Sequence, residues 1–217
     1  MSLMIRNSSD IINQIIGSPI NSKKGKQMLK SAGIDTNSKQ YKAAMNMMTN
    51  SMKGGAVGYT NPQAIKNLMS SFDKDGNLLN AFGVAGMDAT GIPESERHQI
   101  IDVSESARQK MFDETKRHFM QENGVANGDT TRRSEVFRDY QLSVPINDRL
   151  KGTWTLGQYE RQYRQALYDA CKEADPYWEL GKKLPSGALN NVTRESVDST
   201  LVKSGNKLVK KNLDVKG

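Results

Sequence analysis

Apolar side chains recur along this chain at intervals of three and four residues, and Gly, Pro or Asn stands where each run stops. That spacing lines one face of an α-helix and does not suit a strand, whose faces alternate every second residue. Tyr41, Ala44, Met45, Met48 and Met52 form such a stripe within Asp35 to Lys53. Ile65, Leu68, Met69 and Phe72 form another behind Asn61-Pro62, a cap followed by a first-turn proline. Ala107, Met111, Phe112, Thr115 and Phe119 mark a long helix over 104–122. Val136, Phe137 and Tyr140 mark a helix capped by Asp129 or Thr130. Leu156, Tyr159, Tyr163, Leu167 and Ala170 mark one that runs to Ala174, where Pro176 ends it. The expected fold class is therefore mainly α, with six to eight amphipathic helices and at most a small β-hairpin.

Local start and stop signals refine this reading. Ser8 to Ile16 reads as a short helix with Ile11, Ile12, Ile15 and Ile16 on one side, closed by Gly17 and Pro19. Lys23 to Ala32 is a second, stopped by Gly33. Thr155 and Gln158 have capping-box spacing, with Trp154 placed to staple onto Tyr159. Val192, Thr193 and Val197 repeat the theme, and that helix is expected to carry Leu201 and end near Gly205. Residues 73–95 hold Gly76, Gly83, Gly86, Gly91 and Pro93 and read as loop, with a short hairpin around Leu78–Val84. The expected organisation is an N-terminal helical lobe over 1–80, a Gly-rich connector over 81–95 and a C-terminal helical lobe over 96–217. The tail from Asn206 to Gly217 reads as either a docked strand or a mobile basic end. No fixed-period internal repeat is visible, so a solenoid is not expected.

Composition limits the core and the compartment. Hydrophobic residues make up 36% of the chain, so the core is lean. Eleven methionines against five phenylalanines leave flexible thioethers to fill gaps between helices. Cys171 is the single cysteine, which excludes an intrachain disulfide and a multi-cysteine zinc site. No run approaches the ~18 apolar residues of a membrane span, and the first residues lack the pattern of a cleaved leader. A cytoplasmic location is the default expectation; export without a cleaved leader stays open.

Charge is unevenly placed within the net +7. Residues 1–60 carry +6, residues 61–180 carry −4 and residues 181–217 carry +5. Solvated lysines on exposed faces are the plainest reading of basic ends around an acidic middle; the same asymmetry suits nucleic-acid or membrane contact, or association in which the basic ends of one subunit meet the acidic middle of another. The interaction candidates are Lys23, Lys24 and Lys26, with Lys30 beside them, and Lys203, Lys207, Lys210 and Lys211. Aromatic residues are not interleaved with either cluster, and lysine rather than arginine dominates both. A nucleic-acid role is accordingly a weak alternative.

Signatures of catalysis are missing. There is no Gly-x-Ser-x-Gly elbow, no phosphate loop with its Lys-Ser/Thr and no His-Glu-x-x-His pair. Asp73, Asp75 and Asn77 stand where a calcium loop has its first three ligands, but Leu78 and Val84 replace the required Gly and Glu. A plain Asp-Gly turn explains the same residues. Glu114 and His118 lie four apart and suit a surface pair, short of the ligands that zinc needs. Asp129-Thr130-Thr131-Arg132 resembles a polar helix start, where capping is simpler than anion binding. No catalytic, cofactor or metal residue is assigned, and no cofactor is expected.

Three phrases carry a family resemblance: Gly33-Ile34-Asp35-Thr36-Asn37-Ser38-Lys39-Gln40-Tyr41-Lys42-Ala43-Ala44, Glu122-Asn123-Gly124-Val125-Ala126-Asn127-Gly128-Asp129-Thr130-Thr131 and Val202-Lys203-Ser204-Gly205-Asn206-Lys207-Leu208-Val209. With these the chain resembles an uncharacterised domain-of-unknown-function family of gut clostridia, over nearly its whole length. The resemblance implies a bacterial source and brings no site residue. The functional expectation is a non-enzymatic helical structural or protein-interaction protein, with a surface or motility-linked setting by analogy. The alternatives are an enzyme with a pocket assembled from distant segments, or a weak nucleic-acid binder.

Overall fold

In a computed structural model, residue 20 and residues 22–51, 61–123 and 131–211 are described. The chain is mainly α. Among the described residues it has eight α-helices, one short 3-10 turn and one two-stranded hairpin. It divides into two compact units, Met1–Asp88 and Ala89–Gly217. The expected helix over Ser8–Ile16, Met52 and the caps at Asp129 and Thr130 lie outside the described residues.

The first unit starts with α1, Lys23–Ser31. Ser22 caps it by accepting from Gly25 N–H at 2.9 Å. Its end is a Schellman turn: Ile34 N–H reaches Leu29 O at 2.9 Å and Gly33 N–H reaches Lys30 O at 3.0 Å. The same turn brings Ile34 onto Leu29, and both join Ile20 and Ile65 in a small core. Helix α2, Lys39–Ser51, begins four residues later than expected. Asp35 spends its carboxylate on Asn37 N–H, and Ser38 Oγ takes Tyr41 N–H, so the cap falls on Ser38. Helix α3, Pro62–Met69, is capped by Asn61 as its sequence suggests. Gln40 ties α2 to the end of α3 by donating to Met69 O and Phe72 O.

Beyond α3 the chain makes two consecutive turns of one design. Asp73 Oδ1 accepts from the N–H groups of Asp75 and Asn77; Asn80 Oδ1 accepts from those of Phe82 and Val84. Gly76 and Gly83 sit at the fourth position of each with φ of 85° and 74°, a region that side chains disfavour. The bridges Phe72↔Leu78 and Leu79↔Ala85 close the two turns. The expected hairpin over Leu78–Val84 is thus replaced by a seven-residue motif used twice. Asp and Asn do the same job in it, which hides the repetition from a reading by composition.

The second unit is organised around its longest helix. Helix α4, Glu94–Arg97, is a single turn. Helix α5, Glu105–Glu122, is capped by Ser104, and α6 spans Thr131–Ser143. Pro145 breaks the chain, a 3-10 turn covers Ile146–Asp148, and α7 runs from Arg149 to Ala174. Helix α8, Arg194–Asp198, follows an extended loop and precedes β1, Leu201–Ser204, and β2, Lys207–Lys210. Helix α7 packs against α5, α6, α8 and β2. Met111, Phe112, Tyr140, Leu156, Tyr163 and Val197 form one apolar cluster; Phe119, Leu167, Cys171, Trp178 and Leu189 form another.

Two expectations fail here. Thr155 does not start a helix, because α7 already begins at Arg149. Its hydroxyl lies against Lys151 O at 2.9 Å and accepts Ile101 N–H at 3.1 Å. Gly152, upstream, lies inside the helix, and a Cβ there would meet Tyr140 ring carbons at 2.8 Å. Its missing side chain is the space α6 packs into. Trp154 accordingly leaves Tyr159 and stacks on His98, ring centres 3.8 Å apart. The helix capped by Thr193 also stops early, at Asp198. Gly205-Asn206 makes a two-residue hairpin turn, which puts Leu201 in β1 and Leu208, buried, in β2.

Candidate functional site

The residues singled out by sequence fall in several places. Asp73, Asp75 and Asn77 share one turn, but the Asp73 carboxylate is taken up by backbone N–H groups and by the Asn77 amide. Asp75 pairs at the surface with Lys39, 3.1 Å away. Among the described residues no group of three or more His, Cys, Asp or Glu side chains is arranged to hold a metal ion. Lys23, Lys24, Lys26 and Lys30 are exposed on α1. The second basic group has internal duties: Lys203 donates to Ile100 O, Lys210 pairs with Asp169 at 2.6 Å and Lys211 donates to Ser199 O. Lys207 is exposed on β2.

The expected Glu114–His118 pair is not made. Arg117 grips Glu114 with two hydrogen bonds, of 2.7 and 2.5 Å, because a guanidinium fork matches both carboxylate oxygens. His118 turns instead to Glu122, 3.3 Å away. Cys171 is buried on α7 in the cluster with Phe119 and Trp178, and burial pushes its thiol pKa up, away from reactivity.

The most connected polar group runs from buried Tyr163 and Arg194 through half-buried Asp198 to exposed Glu105 and Glu195. Asp198 accepts from Tyr163 Oη at 2.8 Å, from Arg108 at 2.9 Å and from Arg194 at 3.0 Å. Arg194 also reaches Glu105 at 2.5 Å and Gln109 at 3.0 Å. Burial, then the hydrogen bond to Asp198, raises the Tyr163 pKa far above its ordinary value. Burial opposes the Arg194 charge, and the Glu105 and Glu195 carboxylates outweigh it. This network locks α8 onto α5 and α7. Its acceptors are filled by its own donors, so its chemistry is that of a clamp.

A different arrangement lies along the outer side of α7. Arg161, Arg164, Gln165 and Tyr168 fall at i, i+3, i+4 and i+7, one helix face. With Phe119 of α5 and Leu180 they line an open groove of about 530 Å³. Phe119 is fully buried in its floor, and Trp178 supports Phe119 and Tyr168 from below at centroid distances of 6.0 and 5.8 Å. Leu180 is 54% exposed, and Tyr177, near it in the chain, is 89% exposed. Arg164 lies over the Phe119 ring and pairs with Glu122 at 2.5 Å. Arg161 lies over the Trp154 ring, 5.4 Å from its centre.

A second hollow, about 510 Å³, is built over Ala166, Ala170 and Ala174. The Lys210–Asp169 pair stands at its edge. Its floor is methyl groups, without an exposed aromatic or long apolar side chain to anchor a partner. The α7 arginine groove has that anchor. The i, i+3, i+7 spacing of Arg161, Arg164 and Tyr168 was readable in sequence; their meeting with Leu180 was not, because Leu180 follows the helix end and is placed by tertiary contacts.

No curated protein and no solved structure matches the chain. Residues 34–217, which take in both α2 and the whole groove-bearing unit, match the family described as a domain of unknown function (DUF3879), and the chain belongs to that family.

Proposed function

We propose that this chain is a non-enzymatic helical protein that works by binding another protein, and that the α7 groove is its contact surface. The observation that carries this reading is Leu180, an exposed leucine beside two arginines and a tyrosine over an aromatic floor. Tyr and Arg dominate binding hot spots, since each joins apolar area to a directed polar group. A surface or motility-linked assembly is the setting we infer, by analogy with helical assembly proteins alone.

Photo-crosslinking from native cells tests the proposal. A photoreactive residue in place of Tyr177 is expected to give discrete protein adducts; one in place of exposed Glu135 on α6 is expected to give none. Equal labelling at both positions, or turnover of a small molecule by the purified monomer, would overturn it.

A further inference from the structure

The groove has a sign as well as a shape. Arg161 is exposed, and among the described residues no carboxylate lies within ion-pair distance of its guanidinium. Its place over Trp154 holds the planar fork in position while leaving its N–H donors open to solvent. Arg164 is 41% exposed and meets Glu122 through one nitrogen, Nη2. The neighbouring acids are already engaged: Glu160 by Arg133, Glu122 by Arg164 and His118, and Glu179 by Lys182. The rim therefore offers positive charge that the described residues leave only partly neutralised.

The apolar part is fixed in place. Leu180 sits in a turn held on both sides. Gly181 N–H donates to the buried Asn123 Oδ1 at 2.7 Å, and Trp178 Nε1–H lies 3.2 Å from both Lys182 O and Lys183 O. A leucine kept in water on a pinned turn loses little conformational freedom when a partner covers it.

We infer that the groove receives an acidic segment of a partner protein, with a bulky apolar side chain flanked by Asp or Glu. The apolar group covers Leu180 and Tyr168, and the carboxylates meet Arg161 and Arg164. This rests on the reading of the chain as an interaction protein. A nucleic-acid strand fits less well. Phe119 is fully buried with Arg164 across its face, so it offers no stacking platform, and two arginines do not make the row of cations a phosphate backbone needs.

The test is selection of a random-peptide display library on the whole protein, followed by fluorescence anisotropy with the best peptide. Selected peptides are expected to carry Leu, Phe or Trp next to Asp or Glu. Arg161→Glu and Leu180→Asp, both at exposed positions, should each weaken binding by about tenfold or more, with melting that stays cooperative. A peptide with its acids changed to lysine should lose binding to the natural protein and regain it on Arg161→Glu. Neutral or basic peptides that remain sensitive to Leu180→Asp would overturn the acidic assignment and leave the groove as a protein contact. Absence of any peptide sensitive to Leu180→Asp, or displacement of the best peptide by a single-stranded oligonucleotide at equal concentration, would overturn the inference outright.

Discussion

At the scale of single residues, the same local chemistry is done by different side chains. Asp73 and Asn80 each collect the N–H groups two and four residues ahead, and each relies on a glycine three residues on. Gly76 is doubly constrained, since a Cβ there would stand 3.0 Å from Lys39 O of α2. Folding lowers the Asp73 pKa: burial raises it, and hydrogen bonds from Asn77, Asp75 and Gly76 outweigh burial. The unfolded chain then binds that proton more tightly. The contribution is whole above the ordinary carboxylate range and is lost as pH falls through the lowered folded value. Asp73→Asn should keep the turn, as Asn80 does in the next copy, and flatten the acid limb of stability against pH. Asp73→Ala should cost about 1 kcal/mol at neutral pH. Urea unfolding of both variants across the acid range checks this, and an unchanged acid slope in Asp73→Asn would contradict it.

At the scale of elements, α7 shows how packing overrides local signals. Its two glycines look alike in sequence and differ in surroundings. A Cβ on Gly152 would meet the Tyr140 hydroxyl and ring of α6, whereas nothing lies within 4 Å of a Cβ on Gly157. Alanine favours a helix by about 1 kcal/mol over glycine. Gly157→Ala is therefore expected to raise the melting temperature, and Gly152→Ala to lower it despite the same propensity gain. A rise in both would show that α6 yields freely. Trp154 makes a related point. It was expected to staple a helix start; instead it joins α7 to its neighbours, stacking on His98 beside α4 and donating from Nε1 to Asn206 O at 2.7 Å in the hairpin turn. Trp154→Ala should lower stability by about 2–3 kcal/mol through lost ring contact. Trp154→Phe should lose about 1 kcal/mol, since the ring stays and the hydrogen bond goes. Chemical denaturation followed by circular dichroism separates the two, and equal losses would assign the whole effect to the hydrogen bond.

At the scale of the whole molecule, the second unit contains the two larger apolar clusters, the Asp198–Arg194 clamp and the groove. Residues 89–217 expressed alone should unfold cooperatively and retain the circular-dichroism signature of α5 and α7. Gradual, non-cooperative melting of that fragment would show that it depends on the rest of the chain. No helix among the described residues is long and apolar enough to cross a membrane. The helices themselves were largely legible in sequence. Ser22, Asn61, Ser104 and Thr193 cap within a few residues of their own helix, and the stripe of α5 buries Met111, Phe112, Thr115 and Phe119 as its spacing requires. Those interactions span one or two turns, so sequence order alone determines them. The start of α7, the strand at Leu201 and the partners of Trp154 were decided by contacts between residues tens of positions apart. So was the groove: Arg161 and Arg164 are close by helix geometry, but Phe119 meets them because α5 packs on α7, and Leu180 because Asn123 and Trp178 hold its turn. A periodic pattern tells a helix which face to bury. It carries no record of which neighbour will cover that face, and the exposed remainder, where we place the proposed contact surface, is what those neighbours leave uncovered.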